Sequence, residues 1–309
     1  MALERNLKIR GLQRSADKAK RVSEQFGVEV LTGDVTDPVA CKEACRDVDI
    51  VIHTAALVKE CGDLNEFRRV NVGGSVTIAN AAKAAGVKVF VQISSVMVYG
   101  FDYPEQVTED GPFYSGTNPY CLSKLESEQS VLKLNQPPVF RVIALRSGDI
   151  YGPGSDPWVV RPLHLMRTNQ FFLLNNGRGV MNHVYIDNLV DAIFLAIDSG
   201  TSGEAFNITD GVRTSWKDYY TRLAQAADLP VPRRRVPAWL AKFLLKFMPN
   251  EASPEAIDAT TRRSQYSNRK AVEKLGFHPR IDLDMGMTRT RQWLRESTSS
   301  SVEPKSGEV

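Results

Sequence analysis

A tyrosine and a lysine four positions apart, Tyr120 and Lys124 in Asn118-Pro-Tyr-Cys-Leu-Ser-Lys124, carry the strongest chemical signal in the chain. They follow, at about one helix's distance, the segment Ile93-Ser-Ser-Val-Met-Val-Tyr-Gly100. A phenol with a pKa near 10 is a poor acid or base at neutral pH. An ammonium at i+4 shares its helix face and favours the phenolate. A displacement of roughly three units corresponds to about 4 kcal/mol. Tyr120 is therefore the candidate acid/base and Lys124 its electrostatic partner. Ser95, at the end of the preceding apolar run, is the hydroxyl placed to polarise a substrate oxygen. Ser94, one residue earlier on a strand, points to the other face. Tyr-x-x-x-Lys alone arises by chance in many helices; behind the Ser-Ser-Val-Met-Val-Tyr-Gly turn it is specific.

The elements that must position these groups alternate in type. Apolar runs predict strands over Leu7–Leu12, Val28–Leu31, Ile50–His53, Val87–Ser94 and Phe140–Arg146. Helical periodicity runs through Ala16–Phe26, Pro38–Arg46, Leu64–Ala85 and Tyr120–Leu134. Strands rich in Val and Ile, without polar alternation, belong to a sheet buried on both faces. The strand–helix alternation makes it an α/β fold with a parallel, doubly wound sheet. After Gly152 the pattern turns irregular around Pro153, Pro157 and Pro162.

Composition excludes several classes. The 309 residues are 42% hydrophobic and 24% charged with net charge +3, an ordinary globular balance that gives no reason to expect a nucleic-acid partner. Cys41, Cys45, Cys61 and Cys121 lack zinc-ligand spacing, and His53, His164, His183 and His278 are scattered. Neither a metal site nor a Ser-His-Asp triad is indicated. No signal peptide opens the chain, so a cytoplasmic setting with reduced thiols is expected. Arg233-Arg234-Arg235 precedes an apolar run, Pro237–Pro249, that carries Lys242 and Lys246. Its length of about 11 residues is below the roughly 20 needed to span a bilayer. Two readings stay open, a helix lying on a membrane surface and, preferred, a helix capping an apolar pocket.

These residues resemble the extended short-chain dehydrogenase/reductase superfamily, which is related to the NAD-dependent epimerases and dehydratases. Within it, several segments are similar to the 3β-hydroxysteroid dehydrogenase/isomerase-like branch. They are Gly33-Asp-Val-Thr-Asp37, Asp49-Ile-Val-Ile-His-Thr-Ala-Ala56, Asn71-Val-Gly-Gly74, Ala144-Leu-Arg-Ser-Gly-Asp-Ile-Tyr-Gly-Pro153 and Val184-Tyr-Ile-Asp-Asn188. The resemblance covers nearly the whole chain in the family's order. It implies a Rossmann-like, NAD(P)-binding domain over residues 1–150 and a smaller C-terminal substrate-binding lobe over 151–296. That lobe is drawn mostly from Tyr151–Phe172 and Thr214–Thr261, with 184–208 returning to the first domain. The Ser-rich tail 297–309 is expected to be disordered. A homodimer through Leu64–Ala85 and Tyr120–Leu134 is the family expectation.

Such folds open with a strand and a glycine-rich turn that holds the pyrophosphate at a helix N-terminus. Met1–Asn6 reads instead as the end of the helix that should follow, and Leu7–Leu12 as the second strand. Roughly 20 residues are expected to be absent. A start assigned too late, a chain trimmed for another reason and a shortened inactive relative all remain open.

The resemblance also implies cofactor contacts. Arg14 follows the strand whose end selects the cofactor, with Arg10 near and no carboxylate before Asp17, favouring NADP while leaving NAD open. Asp34 and Val35 resemble the adenine clamp, although Asp34 also suits a turn cap. Thr54, Ala55 and Ala56 are small enough for ribose and phosphates to approach. Tyr120 and Lys124 would meet the nicotinamide ribose, whose oxidised ring would add its charge to that of Lys124. Ser147 stands where the family usually has proline, and Ile150 continues that loop. Asn71 resembles a supporting helix asparagine, with helix packing as the alternative.

Substrate class is narrowed by absence. Dehydratases of this superfamily carry Asp-Glu after the hydroxyl residue; here Val96 and Met97 stand there. Met181 occupies the place of the arginine that pairs with a sugar-nucleotide diphosphate, and Arg178 is displaced. A sterol-like or other bulky apolar alcohol or ketone is expected, with Trp158, Phe171, Phe172, Trp216 and Trp239 as candidate pocket aromatics. A nucleotide-sugar epimerase or reductase and a non-catalytic dinucleotide-binding protein are the alternatives.

Overall fold

The computed structural model describes residues 2–59, 61–245 and 254–300. The first half alternates as its sequence does: β1 (Arg10–Gln13), α1 (Ala16–Phe26), β2 (Glu29–Thr32), α2 (Pro38–Ala44), β3 (Ile50–His53), α3 (Leu64–Phe67), α4 (Ser75–Ala84), β4 (Val89–Ser95), α5 (Pro119–Leu132) and β5 (Arg141–Ser147). Side-chain caps set several bounds. Ser15 accepts from the Lys18 amide at the start of α1, and Gly27 closes it in the left-handed conformation that glycine adopts without strain. Asn118 caps α5 at the Cys121 amide ahead of Pro119.

Leu64–Ala85, expected as one helix, contains a π-helical stretch, Arg68–Gly74, between α3 and α4. Strand starts lie up to three residues later than expected because pairing, not hydropathy, fixes them: Arg10 opens β1 opposite Glu29. Ala2–Asn6, expected as a helix end, forms turns, with Asn6 at φ 56°.

All sheet pairings of this half are parallel, but in two hydrogen-bonded pieces, β1–β2 and β10–β5–β4–β3, where β10 is Glu204–Ile208. In a doubly wound order another strand lies between β1 and β3. Among the described residues no strand is hydrogen-bonded there; α2 links the two pieces, with Cys41 and Cys45 packed in one cluster with Leu12, Val51 and Phe90. Successive residues of the larger sheet go to opposite faces. Phe90 and Val142 join the cluster of α2 and α4, whereas Val89, Val91, Ile143 and Leu145 pack with α7 (Ile186–Asp198) and α11 (Arg269–Leu275). Helices cover both faces, as a doubly wound sheet requires.

The second half supplies β6 (Asp149–Tyr151), α6 (Arg161–Arg167), β7 (Leu173–Leu174), β8 (Val180–Met181), β9 (His183–Tyr185), β11 (Thr214–Ser215), α8 (Trp216–Ala226), α9 (Ala238–Leu245), α10 (Pro254–Thr261) and α12 (Leu283–Ser300). A separate aromatic cluster, including Tyr151, Tyr185, Trp216, Tyr219 and Tyr220, packs here with Leu163, Met181 and Met287. The expected tail from Ser297 begins inside α12, which runs to Ser300; its remainder lies outside the described residues. Residues 246–249 of the expected pocket-capping run also lie outside them. Its described part, α9, buries no side chain, and Trp239 is 71% exposed.

Candidate active site

The carboxyl ends of β3, β4 and β5 open into a cavity of about 1020 Å³, closed from the other side by the second half. Ser95 is the last residue of β4, and its Oγ accepts from the Met97 amide at 3.2 Å, capping a short 3-10 turn, Val96–Tyr99. Tyr120 and Lys124 stand one turn apart on α5, and all three residues line the cavity. Lys124 is buried and donates from Nζ to the Ile93 carbonyl at 2.9 Å, next to the serines of β4.

Burial sets the electrostatics. It pushes the Tyr120 phenol up to about 12, with Ser95 as a hydrogen-bonding neighbour acting against that shift. It brings the Lys124 ammonium down to about 8, against the pull of the Glu128 carboxylate. The phenolate favoured by Lys124 is therefore not what the protein's own groups produce. The ammonium is spent on a strand carbonyl, and the desolvated phenol keeps its proton. Behind the site, His53 Nε2 meets Ser75 Oγ at 2.9 Å, which also meets Ser127 Oγ at 3.0 Å. Burial, and secondarily Lys124, hold His53 neutral with a pKa of about 3.

Asn71 reaches Tyr120 through Ser123, whose hydroxyl donates to the Tyr120 carbonyl at 2.9 Å. From the π-helical stretch its Oδ1 accepts from the Leu57 amide at 2.6 Å, and its Nδ2 donates to the Leu57 carbonyl and to Ser123 Oγ. It thereby fixes the loop after β3 to the helix that carries Tyr120 and Lys124. Thr54, Ala56, Ser147 and Ile150 line the cavity; Ala55 is exposed beside them. Small side chains at strand carboxyl ends fit a nicotinamide ribose approaching Lys124. Arg14 lies farther off, with its side chain 78% exposed and 4.0 Å from Asp34. Asp34 turns its Oδ1 to the Thr36 amide and hydroxyl, and these bonds hold its carboxyl below the usual range. Val35 packs against Gly74. Arg10 is tied to Glu29 and to the Arg46 carbonyl.

Trp158, Phe171 and Trp216 line the cavity, whereas Phe172 and Trp239 are exposed and do not. Nor does α9, the described part of the run expected to cap the pocket; among the described residues the wall on this side comes from Ala259, Thr260 and Arg262 in and after α10. Met181 is buried in the aromatic cluster, and Arg178 sits in a different depression, so neither faces the cavity. Asp149 and Arg262, an ion pair inside the cavity, went unnoticed in the sequence because 113 positions separate them. Burial pushes the Cys121 thiol up to about 12, which suits a packing residue. Among the described residues no group of three His, Cys, Asp or Glu could hold a metal, and no helix is long and apolar enough to cross a membrane.

The chain is 26% identical over 304 residues to a 4-hydroxy-2-methyl-3-oxo-4-farnesyl-3,4-dihydroquinoline-1-oxide ketoreductase of Stigmatella aurantiaca, covering 93% of this chain and 90% of that one. It is 26% identical over 290 residues to the decarboxylating sterol-4-alpha-carboxylate 3-dehydrogenase of Mus musculus, covering 86% and 79%. The solved structure of MoeE5 in complex with UDP-glucose and NAD has the same fold, with a TM-score of 0.76, 21% identity and coverage of 96% and 93%. The family pattern matches residues 1–209, and the chain belongs to the NAD dependent epimerase/dehydratase family.

Proposed function

We propose that the protein is an NADP(H)-preferring oxidoreductase that interconverts a ketone and a secondary alcohol on a bulky, largely apolar substrate. The observation that carries this is the convergence of Ser95, Tyr120 and Lys124 at the wall of a cavity lined by Trp158, Leu165, Phe171, Trp216 and Tyr220. The nicotinamide, when bound, supplies or accepts the hydride. Tyr120 gives its phenolic proton to the substrate oxygen as negative charge develops there, and a phenol held protonated suits the reducing direction. Ser95 Oγ orients that oxygen. Lys124, still mostly cationic at neutral pH, stabilises the phenolate left behind. Asn71 positions α5 and the loop after β3. Arg14, 78% exposed and only loosely paired with Asp34 at 4.0 Å, is available to a 2′-phosphate.

A nucleotide-sugar substrate is the second reading, because MoeE5 shares the fold and was solved with UDP-glucose. The positions of Met181 and Arg178 outside the cavity weigh against it. The test is NADPH- and NADH-dependent reduction of a panel of decalin- and steroid-sized ketones, with Tyr120→Phe beside the wild type. The substitution is expected to lower kcat by roughly 10²–10⁴ while nicotinamide binding is kept. Full activity of Tyr120→Phe, or turnover of UDP-sugars alone, would defeat the proposal.

A further inference from the structure

Arg262 and Asp149 are out of character for a structural ion pair. Both are nearly excluded from solvent, with side chains 3% and 11% exposed, yet both line the cavity beside Tyr120. Removing two charges from water costs several kcal/mol per ion, recovered only with good geometry and further hydrogen bonds. Their geometry is poor. One terminal nitrogen of Arg262 reaches Asp149 Oδ2 at 3.3 Å, the other reaches only the Met97 sulfur at 3.7 Å, and Nε has no hydrogen-bond partner.

Arg146 supplies the internal comparison. It is equally buried, but its Nε and one terminal nitrogen both engage Glu128 at 2.6–3.1 Å, and the other terminal nitrogen bonds the Glu109 carbonyl at 2.8 Å. Arg146 does not line the cavity. Arg146, away from the cavity, is thus fully bonded, whereas the equally buried Arg262 that faces the cavity is not. The rings of Tyr103 and Tyr266 stand behind the Arg262 guanidinium, at 6.0 and 5.6 Å. They hold it in place.

The pair is neutral as a whole, which decides what it can take. A carboxylate or phosphate would add a net negative charge beside Asp149. A hydroxyl can accept from the guanidinium and donate to the carboxylate. We propose that Arg262 and Asp149 form a polar subsite for a second hydroxyl of the substrate, so that this chain acts on hydroxy ketones or diols of an otherwise apolar frame. The proposal rests on the reading of the cavity as the substrate site. It also gives an apolar cavity a means of orienting its ligand, since a site built to bond a hydroxyl strongly rejects an analogue lacking it.

Trp158 and Trp216 line the same cavity, so their fluorescence reports binding without turnover. The probes are matched sets of decalin- and steroid-sized ketones, each a monohydroxy ketone, its methyl ether and its deoxy parent. At least one monohydroxy ketone is expected to bind about tenfold or more tightly than its ether. Asp149→Leu/Arg262→Met should abolish that preference while keeping affinity for the deoxy parent. Either single substitution would strand a buried charge, which is why both are changed together. The wild-type comparison needs no variant, so it decides the matter even if the double variant does not fold. Equal binding of hydroxyl and ether, a preference that survives in the folded double variant, or no binding of any probe overturns the subsite. Hydroxy ketones that bind with the expected preference but are not reduced with NADPH or NADH would sink the oxidoreductase reading and leave the subsite standing.

Discussion

Replacing Lys124 with methionine should make the protein more stable and less active, and the stability gain should reverse with pH. The folded pKa of about 8 against the ordinary 10.5 means that holding this ammonium in the protein costs about 3 kcal/mol at neutral pH. Methionine fills a similar volume without charge, and it forfeits the hydrogen bond to the Ile93 carbonyl, a loss of about 1 kcal/mol. The balance is a gain of about 2 kcal/mol, or about 3 °C in Tm for a chain of this length. The sign follows from proton binding. Below pH 8 both folded and unfolded lysine are charged, so the folded state bears the full cost. Between about 8 and 10.5 the unfolded chain holds the extra proton, and the cost vanishes as pH rises. Near pH 10.5 only the lost hydrogen bond remains, and Lys124→Met should be about 1 kcal/mol less stable than wild type. Urea unfolding of both proteins in matched buffers at pH 7 and pH 10.5 measures this, with other titrating groups cancelling in the difference. A variant that is less stable at pH 7, or a difference that does not change with pH, would show that Lys124 is not a desolvated cation and would refute the reasoning.

Other perturbations read separate parts of the molecule. Glu128→Gln removes the carboxylate that engages Arg146 and leaves a buried guanidinium short of charge; a loss of about 3–5 kcal/mol is expected in urea unfolding. Arg14→Ala, at a side chain 78% exposed, should leave Tm unchanged, weaken NADPH binding about tenfold or more and spare NADH; equal loss for both nucleotides would assign Arg14 to something other than the 2′-phosphate. Asn71→Ala orphans the Leu57 amide and should cost about 2 kcal/mol. It should also raise KM for the nicotinamide more than for the ketone, because the loop it holds carries Thr54 and Ala56.

What could be read in the sequence was what local chemistry writes there. Helix α1 has the bounds its periodicity predicts, and Ser15 and Gly27 hold them as cap and stop. Strand starts were read less evenly: β3 begins at Ile50 as expected, whereas the strand expected from Leu7 begins only at Arg10, where Glu29 pairs with it. The three residues carrying the proposed proton transfer were legible because a helix turn and a strand end bring them together within thirty positions. Arg262 and Asp149 meet only through the fold, and although Asp149 lies in a segment that carries the family resemblance, nothing near either residue marks the pairing. The described part of the apolar run from Pro237 stays off the cavity wall for a related reason. Its composition shows that a helix face needs company, and composition does not show that α10 would form the cavity wall instead.

The opposed displacements of Tyr120 and Lys124 have one cause, and that bears on how such a pair can work. Desolvation disfavours whichever form is charged, so it raises a phenol and lowers an ammonium. With the phenol near 12 and the ammonium near 8, the resting pair at neutral pH is a protonated tyrosine beside a cation. That is the state needed to give a proton to a ketone oxygen receiving hydride. It is the wrong state for taking one from an alcohol. Oxidation would need the phenol brought down by several units, and the positive charge of an oxidised nicotinamide, were it bound in this low-dielectric cavity, would be of the sign to do it. The two directions should therefore differ in their pH dependence. Ketone reduction should hold through neutral pH and fall above about pH 8, as Lys124 loses the charge that stabilises the departing phenolate, well before Tyr120 itself ionises. Alcohol oxidation should rise with pH across the range in which the cofactor-bound phenol ionises. Coincident pH profiles for the two directions would mean that Tyr120 is not the proton carrier.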